Sequence, residues 1–203
     1  MSYVLKLALF GTPGAGKSTA SQLIEDYCRA ESIEFHRIKL AYPLYEAQSF
    51  LYKLAGRPLD EFYTQDGELL SFLGGYLRRI NPLVLVDQFA ERLARLVADQ
   101  SVHARERTVI VCDDMRRLDA DALRDLGFVF VRVQADADKC RVRRLARGDH
   151  SLSSPDHPVE RGLDEISPAA TLINEDDITD LRDDVSMLIR RMFYDSDRGP
   201  HKA

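Results

Sequence analysis

The segment Gly11-Thr12-Pro13-Gly14-Ala15-Gly16-Lys17-Ser18-Thr19 decides the fold of this chain. It matches the pattern G-x-x-x-x-G-K-[ST], in which backbone N–H groups surround a polyphosphate, the lysine reaches the β- and γ-phosphates, and the next hydroxyl holds Mg²⁺. The pattern predicts a site for ATP with Mg²⁺, and the predicted nucleotide contacts are Gly11, Gly14, Ala15, Gly16, Lys17, Ser18 and Thr19.

The sequence on both sides of this loop has the form that the pattern requires. Residues 3–10 are a short apolar segment of buried-strand length, and residues 19–30 place Leu23, Ile24 and Tyr27 at helical spacing. A helix that starts at the loop adds its partial positive charge to the phosphate site. The order of strand, glycine loop and helix distinguishes this match from a glycine-rich turn that contains Gly-Lys-Ser by chance.

Beyond the loop, strand patterns and helix patterns alternate along the chain. Further strands are predicted over residues 33–38, 108–112, 128–133 and 170–174. Helices are predicted over residues 43–55, 119–126, 136–147 and 178–194, with one more long helix beginning at Asn81-Pro82. This alternation predicts an α/β fold, a doubly wound parallel sheet of about five strands.

The length of 203 residues suits one core with a small added cap. We predict a single domain over residues 1–194, followed by a disordered tail over residues 195–203. Within the domain we predict a helical acceptor-binding cap over residues 42–80 and an arginine-rich lid over residues 141–161. Within the cap, a helix-like segment is followed by Gly74-Gly75 and then by two arginines.

The composition argues against several classes of protein. With 45% apolar residues, 30% charged residues and a net charge of −5, the chain has no basic run, so nucleic acid is not its expected partner. No segment is long enough to span a membrane. The three cysteines are odd in number and lack metal-ligand spacing, which favours a reducing, cytoplasmic compartment.

Two acidic residues follow the apolar run 108–112, which is typical of a strand buried on both faces. Asp113 and Asp114 then lie at the carboxyl end of that strand, the edge at which open α/β sheets bind their ligands. Either carboxylate can position Mg²⁺ together with Ser18, and the sequence does not separate them. Arg116, two residues after Asp114, can hold an acceptor phosphate.

An arginine cluster occupies the predicted helix 136–147. Arg141, Arg143, Arg144 and Arg147 are three or four residues apart, so they lie on adjoining faces of the helix. From a closing lid, Arg143 or Arg147 would bring positive charge to a transferring phosphoryl group. The alternative is a solvated helix whose arginines pair with nearby aspartates. The cluster favours a kinase for small molecules over a GTPase or a mechanical ATPase.

With these motifs in this order, the chain resembles the deoxynucleoside monophosphate kinase-like branch of the nucleoside monophosphate kinase superfamily. Residues 111–116 are similar to the family's strand-end Asp-x-Arg. Residues 156–160 resemble its lid segment His-Pro-Ser-Glu, with Val159 in place of Ser.

Two further segments carry the resemblance. Ile173-Asn174 resembles the family's late Ile-x-Asn element, which implies that Asn174 lies near the donor base. Gln65-Asp66 with Arg78 looks like the acceptor-side segment, which implies that Asp66 and Arg78 contact the acceptor.

The resemblance implies phosphoryl transfer from ATP to a nucleoside or deoxynucleoside 5′-monophosphate. A phosphate acceptor has a second pKa of about 6, so it is largely dianionic at neutral pH and attacks without a base. A hydroxyl acceptor normally needs a carboxylate to take its proton, and Asp66 or Asp87 could be that base.

The predicted mechanism relies on positioning and charge. Backbone amides of the loop hold the donor β-phosphate, Lys17 bridges the β- and γ-phosphates, and Arg78 and Arg116 hold the acceptor phosphate in line. Arg143 or Arg147 closes over the transferring group. The predicted catalytic residues are Lys17, Arg116, Arg143 and Arg147.

Two other functions remain open: a kinase for a non-nucleotide small molecule, such as a phosphorylated metabolite or antibiotic intermediate, and a nucleotide-binding regulatory ATPase. The long helix after Asn81-Pro82 carries an apolar stripe that suits the core, with a homodimer surface as the alternative. Five aromatic residues could stack on an acceptor base or belong to the core, namely Tyr42, Tyr45, Phe62, Tyr63 and Tyr76.

Overall fold

The computed structural model describes residues 3–99, 106–146, 162–175 and 177–197. The strands of this part of the chain are β1 (Tyr3–Phe10), β2 (Glu34–Arg37), β3 (Arg107–Cys112), β4 (Val129–Gln134) and β5 (Ala170–Ile173). They form one sheet in the order β2-β3-β1-β4-β5, and each neighbouring pair is parallel. The predicted doubly wound parallel sheet of about five strands is therefore confirmed.

The helices lie between and beside these strands. They are α1 (Lys17–Ala30), α2 (Tyr42–Leu54), α3 (Gly67–Ile80), α4 (Val84–Ala98), α5 (Ala120–Asp125), α6 (Ala137–Ala146) and α7 (Ile178–Asp197). Two short 3₁₀ helices cover Arg117–Asp119 and Leu163–Glu165. In the described part of the chain, no helix combines the length and the apolar character needed to cross a membrane.

Both faces of the sheet are covered, as β1 illustrates. Leu5, Leu7 and Leu9 lie in a core shared with α1 and α7, whereas Ala8 and Phe10 lie in a core shared with α4 and α5. A strand that is buried on both sides cannot alternate apolar and polar residues. This explains the unbroken apolar run Leu7-Ala8-Leu9-Phe10 that precedes the glycine loop.

Helix α3 differs from the prediction because it continues through Gly74-Gly75 to Ile80. Gly74 is buried against α2, and a Cβ at this position would lie 3.4 Å from the Leu44 side chain. The small residue allows α2 and α3 to approach closely, and this packing outweighs the low helix propensity of glycine.

Helix α4 begins later than predicted, at Val84. The side chain of Asn81 accepts a hydrogen bond from the backbone N–H of Leu83 at 3.0 Å, which closes a local turn instead of capping the helix. At the other end of the chain, α7 extends through residues 195–197, which the sequence placed in the tail. The rest of the predicted tail lies outside the described residues.

Replacing Phe89 with alanine tests the core between the sheet and α4. Phe89 is fully buried, and its ring centroid lies 5.6 Å from that of Phe128. We expect Phe89→Ala to lower the free energy of unfolding by about 3–5 kcal/mol, because it leaves a cavity. Urea denaturation measures this loss. Phe50, whose ring is on the surface, is the matched control, and Phe50→Ala should stay within about 0.5 kcal/mol. Equal losses would contradict the assigned core.

Candidate functional site

The glycine loop has a backbone that requires glycine at three positions. Gly11, Gly14 and Gly16 have φ values of 146°, 88° and 101°, in the left-handed region that side chains disfavour. A Cβ on Gly14 would collide with the backbone carbonyl of Cys140 in α6, and one on Gly16 would collide with the side chain of Asn174. The loop is therefore closely packed against α6 and against Asn174, the residue after β5.

Gly16 is also the N-cap of α1, and it has no side chain with which to cap the first turn. The first backbone N–H groups of a helix have no partner within the helix. Together with the helix dipole, they form a site for an anion. The loop geometry thus fits a phosphate group at the position that the sequence predicts.

Lys17 lies back over the loop that precedes it. Its Nζ donates to the carbonyl of Gly11 at 2.7 Å and to that of Thr12 at 3.2 Å. Asn174 donates from Nδ2 to the carbonyl of Ala15 at 2.8 Å, and this bond is buried. The resemblance placed Asn174 near the donor base, and in this structure its side-chain amide holds the phosphate loop.

The arginines of the predicted lid are described only as far as residue 146. Arg143 donates to the backbone carbonyls of Asn174, at 3.1 Å, and Glu175, at 3.0 Å, so it joins α6 to the segment after β5. Arg141 pairs with Asp138 on the exposed side of α6, at 3.4 Å. Arg147 and the rest of the predicted lid, including Val159, lie outside the described residues.

The two acidic residues after β3 have different partners in the structure. Asp114 accepts hydrogen bonds from the backbone N–H groups of Leu40 and Ala41, at 2.9 and 3.0 Å. Asp113 pairs through Oδ1 with Lys39 at 2.6 Å, and its buried Oδ2 has no hydrogen-bond partner. Asp114 therefore holds the loop that leads into α2, whereas Asp113 retains an oxygen for a ligand.

The charges at this strand end influence one another. Burial raises the pKa of Asp114. Burial alone would lower the pKa of Lys39, but the carboxylates of Asp113 and Asp114 outweigh it, so the pKa is raised. The Lys39 side chain is therefore an ammonium ion that faces carboxylates in a largely enclosed place.

The residues present fit Mg²⁺ bound together with a nucleotide. β1 pairs with β3, with Ala8 opposite Cys112, so the phosphate loop after β1 and Asp113 after β3 lie at the same edge of the sheet. Mg²⁺ is usually bound by one or two protein oxygens, water and substrate phosphates. Ser18 and the unpartnered Oδ2 of Asp113 would supply the protein oxygens. Among the described residues no cluster of three His, Cys, Asp or Glu side chains could hold a metal by itself.

Asp119 is a site residue that the sequence analysis missed. It is buried, and its carboxylate accepts from the Arg78 side chain at 3.2 Å and from the backbone N–H of Arg116 at 3.1 Å. It therefore links the side chain of Arg78 to the backbone of Arg116, the two arginines predicted to hold the acceptor phosphate. In the sequence, Asp119 marks the start of a short predicted helix, which indicates only a capping residue. Its pairing with Arg78 could not be predicted because the two residues are 41 positions apart.

Asp66 is the N-cap of α3. Its carboxylate accepts from the backbone N–H of Leu69 at 3.0 Å and from the hydroxyl of Tyr52 at 2.8 Å. These hydrogen bonds, first that of Leu69 and then that of Tyr52, lower the pKa of Asp66. A carboxylate stabilised in its charged form is a weaker base, which disfavours Asp66 as the base of a hydroxyl kinase.

Four of the five predicted aromatic residues form one group, which we call the aromatic cluster: Tyr42, Tyr45, Phe62 and Tyr63. Their neighbouring ring centroids are 4.9 to 6.2 Å apart. Lys39 Nζ lies 5.7 Å from the centroid of Tyr63, and the Arg92 guanidinium lies 4.4 Å from that of Tyr42. Tyr76 lies apart from the cluster and stacks on Phe72. The cluster therefore combines exposed aromatic surface with nearby cations.

Comparisons with known proteins show the fold of the chain but no family. No family model matches the sequence, and no curated protein matches it significantly. A Thermus thermophilus protein of known structure, TT1252, matches this chain with a TM-score of 0.60 at 16% identity, over 94% of this chain and 98% of that one.

A second solved structure is the APS kinase CysC of Mycobacterium tuberculosis in complex with AMPPNP and APS. It matches with a TM-score of 0.52 at 17% identity, over 94% of this chain and 99% of that one. The chain therefore has the α/β fold of P-loop kinases.

Substituting Gly14 tests the phosphate loop. We expect Gly14→Ala to weaken ATP binding about tenfold or more, because the new methyl group displaces the loop from α6 and φ is strained. Isothermal titration calorimetry measures the affinity. In α3, Gly75 has open space around it, so Gly75→Ala should leave ATP binding unchanged. If Gly14→Ala binds ATP like the wild type, the loop does not hold the phosphates.

Replacing Asp114 tests its assignment as a structural residue. In Asp114→Ala the N–H groups of Leu40 and Ala41 lose their acceptor, so we expect the free energy of unfolding to fall by about 2 kcal/mol. Chemical denaturation measures the change, and Asp125→Ala, at an exposed position on α5, is the matched control. Unchanged stability in Asp114→Ala would show that the carboxylate does not hold this loop.

Proposed function

We propose that the protein is an ATP-dependent kinase that phosphorylates a nucleoside or deoxynucleoside 5′-monophosphate to the diphosphate. The fold of P-loop kinases and the loop geometry support the donor half of this proposal. The acceptor half rests on the residues around the ends of β2 and β3. The main observation in favour of a phosphate acceptor is that the described carboxylates around these strand ends pair with hydrogen-bond donors and lie next to several cations.

The carboxylates support an acceptor that needs no base. Asp66 caps α3, Asp114 accepts from two backbone N–H groups, Asp119 holds Arg78, and Asp113 pairs with Lys39. Hydrogen bonds lower the pKa of Asp66, which makes it a weak base. The carboxylates of the other three residues already have a backbone N–H group, an arginine or a lysine as partner. A phosphate acceptor is already largely dianionic at neutral pH, so it can attack without losing a proton.

The cations and aromatic rings support a nucleotide among the possible phosphates. The Asp119 carboxylate accepts from the Arg78 side chain and from the backbone N–H of Arg116, and Lys39 lies beside Asp113. The cationic side chains of Arg78, Arg116 and Lys39 would attract an anionic group. The aromatic cluster is next to Lys39 and presents partly exposed rings, and flat aromatic surfaces are suited to stacking on a nucleobase.

In the proposed reaction, the N–H groups at the start of α1 bind the donor phosphates and Lys17 moves from the loop carbonyls to the β- and γ-phosphates. Ser18 and Asp113 would hold Mg²⁺, which neutralises phosphate charge when bound. Arg78 and Arg116 orient the acceptor. An acceptor oxygen bonds to the γ-phosphorus as the bond to the β–γ bridging oxygen breaks, which yields ADP and the diphosphate.

The test is ADP release from Mg·ATP with a panel of AMP, GMP, CMP, UMP and the corresponding deoxynucleoside monophosphates, including dTMP. We expect release to depend on one or a few of them. Lys17→Ala should fold normally and lose activity about a hundredfold or more, because it removes charge stabilisation of the transition state. Lys53→Ala, which removes an exposed lysine of α2, is the matched control and should retain activity.

Other outcomes would contradict the proposal. ADP release that does not depend on an acceptor would favour a regulatory ATPase. Release with phosphorylated metabolites but with none of the monophosphates would favour the non-nucleotide kinase. Substantial activity in Lys17→Ala would remove the central role of the phosphate loop.

A further inference from the structure

Lys39 was not predicted as a site residue, yet it lies between the two halves of the proposed active site. On one side its Nζ is 2.6 Å from Asp113, the residue assigned to Mg²⁺. On the other side it is 5.7 Å from the ring centroid of Tyr63 in the aromatic cluster. A group at this position contacts both the metal side and the acceptor side.

Several hydrogen bonds fix the backbone around Lys39. The carbonyl of Lys39 accepts from the Arg92 guanidinium, and the next two N–H groups, of Leu40 and Ala41, donate to Asp114. The Lys39 side chain is only 17% exposed. Its ammonium is thus held in place before any ligand binds, which reduces the entropic cost of using it in binding.

The ammonium has capacity for a further partner. It carries three N–H donors, and among the described residues Asp113 is the one hydrogen-bond acceptor of Nζ. Its remaining donors therefore suit an anion that enters from the aromatic side. A charge-assisted hydrogen bond from an ammonium to a phosphate oxygen is among the stronger polar contacts in proteins.

We propose that Lys39 binds the phosphate group of the acceptor and makes the enzyme specific for phosphorylated acceptors. This inference rests on the proposed function. Asp113 orients the ammonium, and the tyrosine ring of Tyr63 places a flat surface beside it. An acceptor that combines a phosphate with a planar base fits both features, whereas the unphosphorylated nucleoside lacks the group that Lys39 binds.

An alternative role for Lys39 is to neutralise the buried Asp113 and nothing more. Removing the lysine alone would leave an unpaired buried carboxylate, which is strongly destabilising. The test therefore compares D113N with the double variant K39M/D113N, in which neither side chain is charged. In the D113N background, the only charge lost through K39M is the one proposed to bind the acceptor.

The experiment measures binding of a monophosphate by calorimetry without Mg²⁺ or ATP. The probe is the panel member that gives the fastest ADP release with the wild type, and its unphosphorylated nucleoside is the matched ligand. We expect K39M/D113N to bind the monophosphate about tenfold or more weakly than D113N. Binding of the nucleoside and of ATP should be similar in both variants, and so should the thermal unfolding temperature.

The outcomes separate the two proposals. If the wild type binds no monophosphate of the panel, the proposed function is wrong, and the role proposed for Lys39 is then wrong as well. If the wild type binds one but D113N and K39M/D113N bind it equally, only the role of Lys39 is wrong. Lys53→Met, at an exposed position on α2, controls for a general loss of positive charge and should bind like the wild type.

Discussion

The two hydrogen bonds from the N–H groups of Leu40 and Ala41 to the Asp114 carboxylate join the sheet to the proposed acceptor side of the molecule. They bind the segment after β2 to the end of β3, immediately before α2 begins. Because this segment carries Lys39, the same two bonds place the ammonium beside Asp113. The relative position of the proposed metal site and the aromatic cluster therefore depends on one partly buried carboxylate, and each of its two oxygens accepts a backbone hydrogen bond.

A second set of contacts determines the donor half of the site. The backbone of Gly14 lies against α6, and the backbone of Gly16 lies against Asn174. Asn174 holds the carbonyl of Ala15, and Arg143 holds the carbonyl of Asn174. The shape of the phosphate loop thus depends on residues from the last third of the chain, because its glycines leave room for them to approach. A side chain on either glycine would push these elements apart.

The fold and the phosphate loop were predictable because their signals are local. An apolar strand, a glycine loop and a helix follow one another within 28 residues, from β1 through α1, and each is determined by neighbouring residues. The distinction between Asp113 and Asp114 was not predictable, since their partners are 74 residues earlier in the sequence. The same holds for Asp119, which meets Arg78 across 41 residues, and for Arg143, whose acceptor is 31 residues away. Sequence patterns indicate which residue types lie at the sheet edge, but tertiary packing decides which partner each side chain receives.

The pairing of Lys39 with Asp113 follows from the cost of placing charge at the end of a buried strand. Burial raises the pKa of Asp114 next to this position, so the surroundings disfavour a charged carboxylate. Burial alone would lower the pKa of Lys39, yet the carboxylates of Asp113 and Asp114 raise it. The Lys39 Nζ lies 2.6 Å from Asp113. The same ammonium thus pairs with the side chain proposed to hold Mg²⁺ and faces the aromatic cluster, where the proposed anionic acceptor would bind.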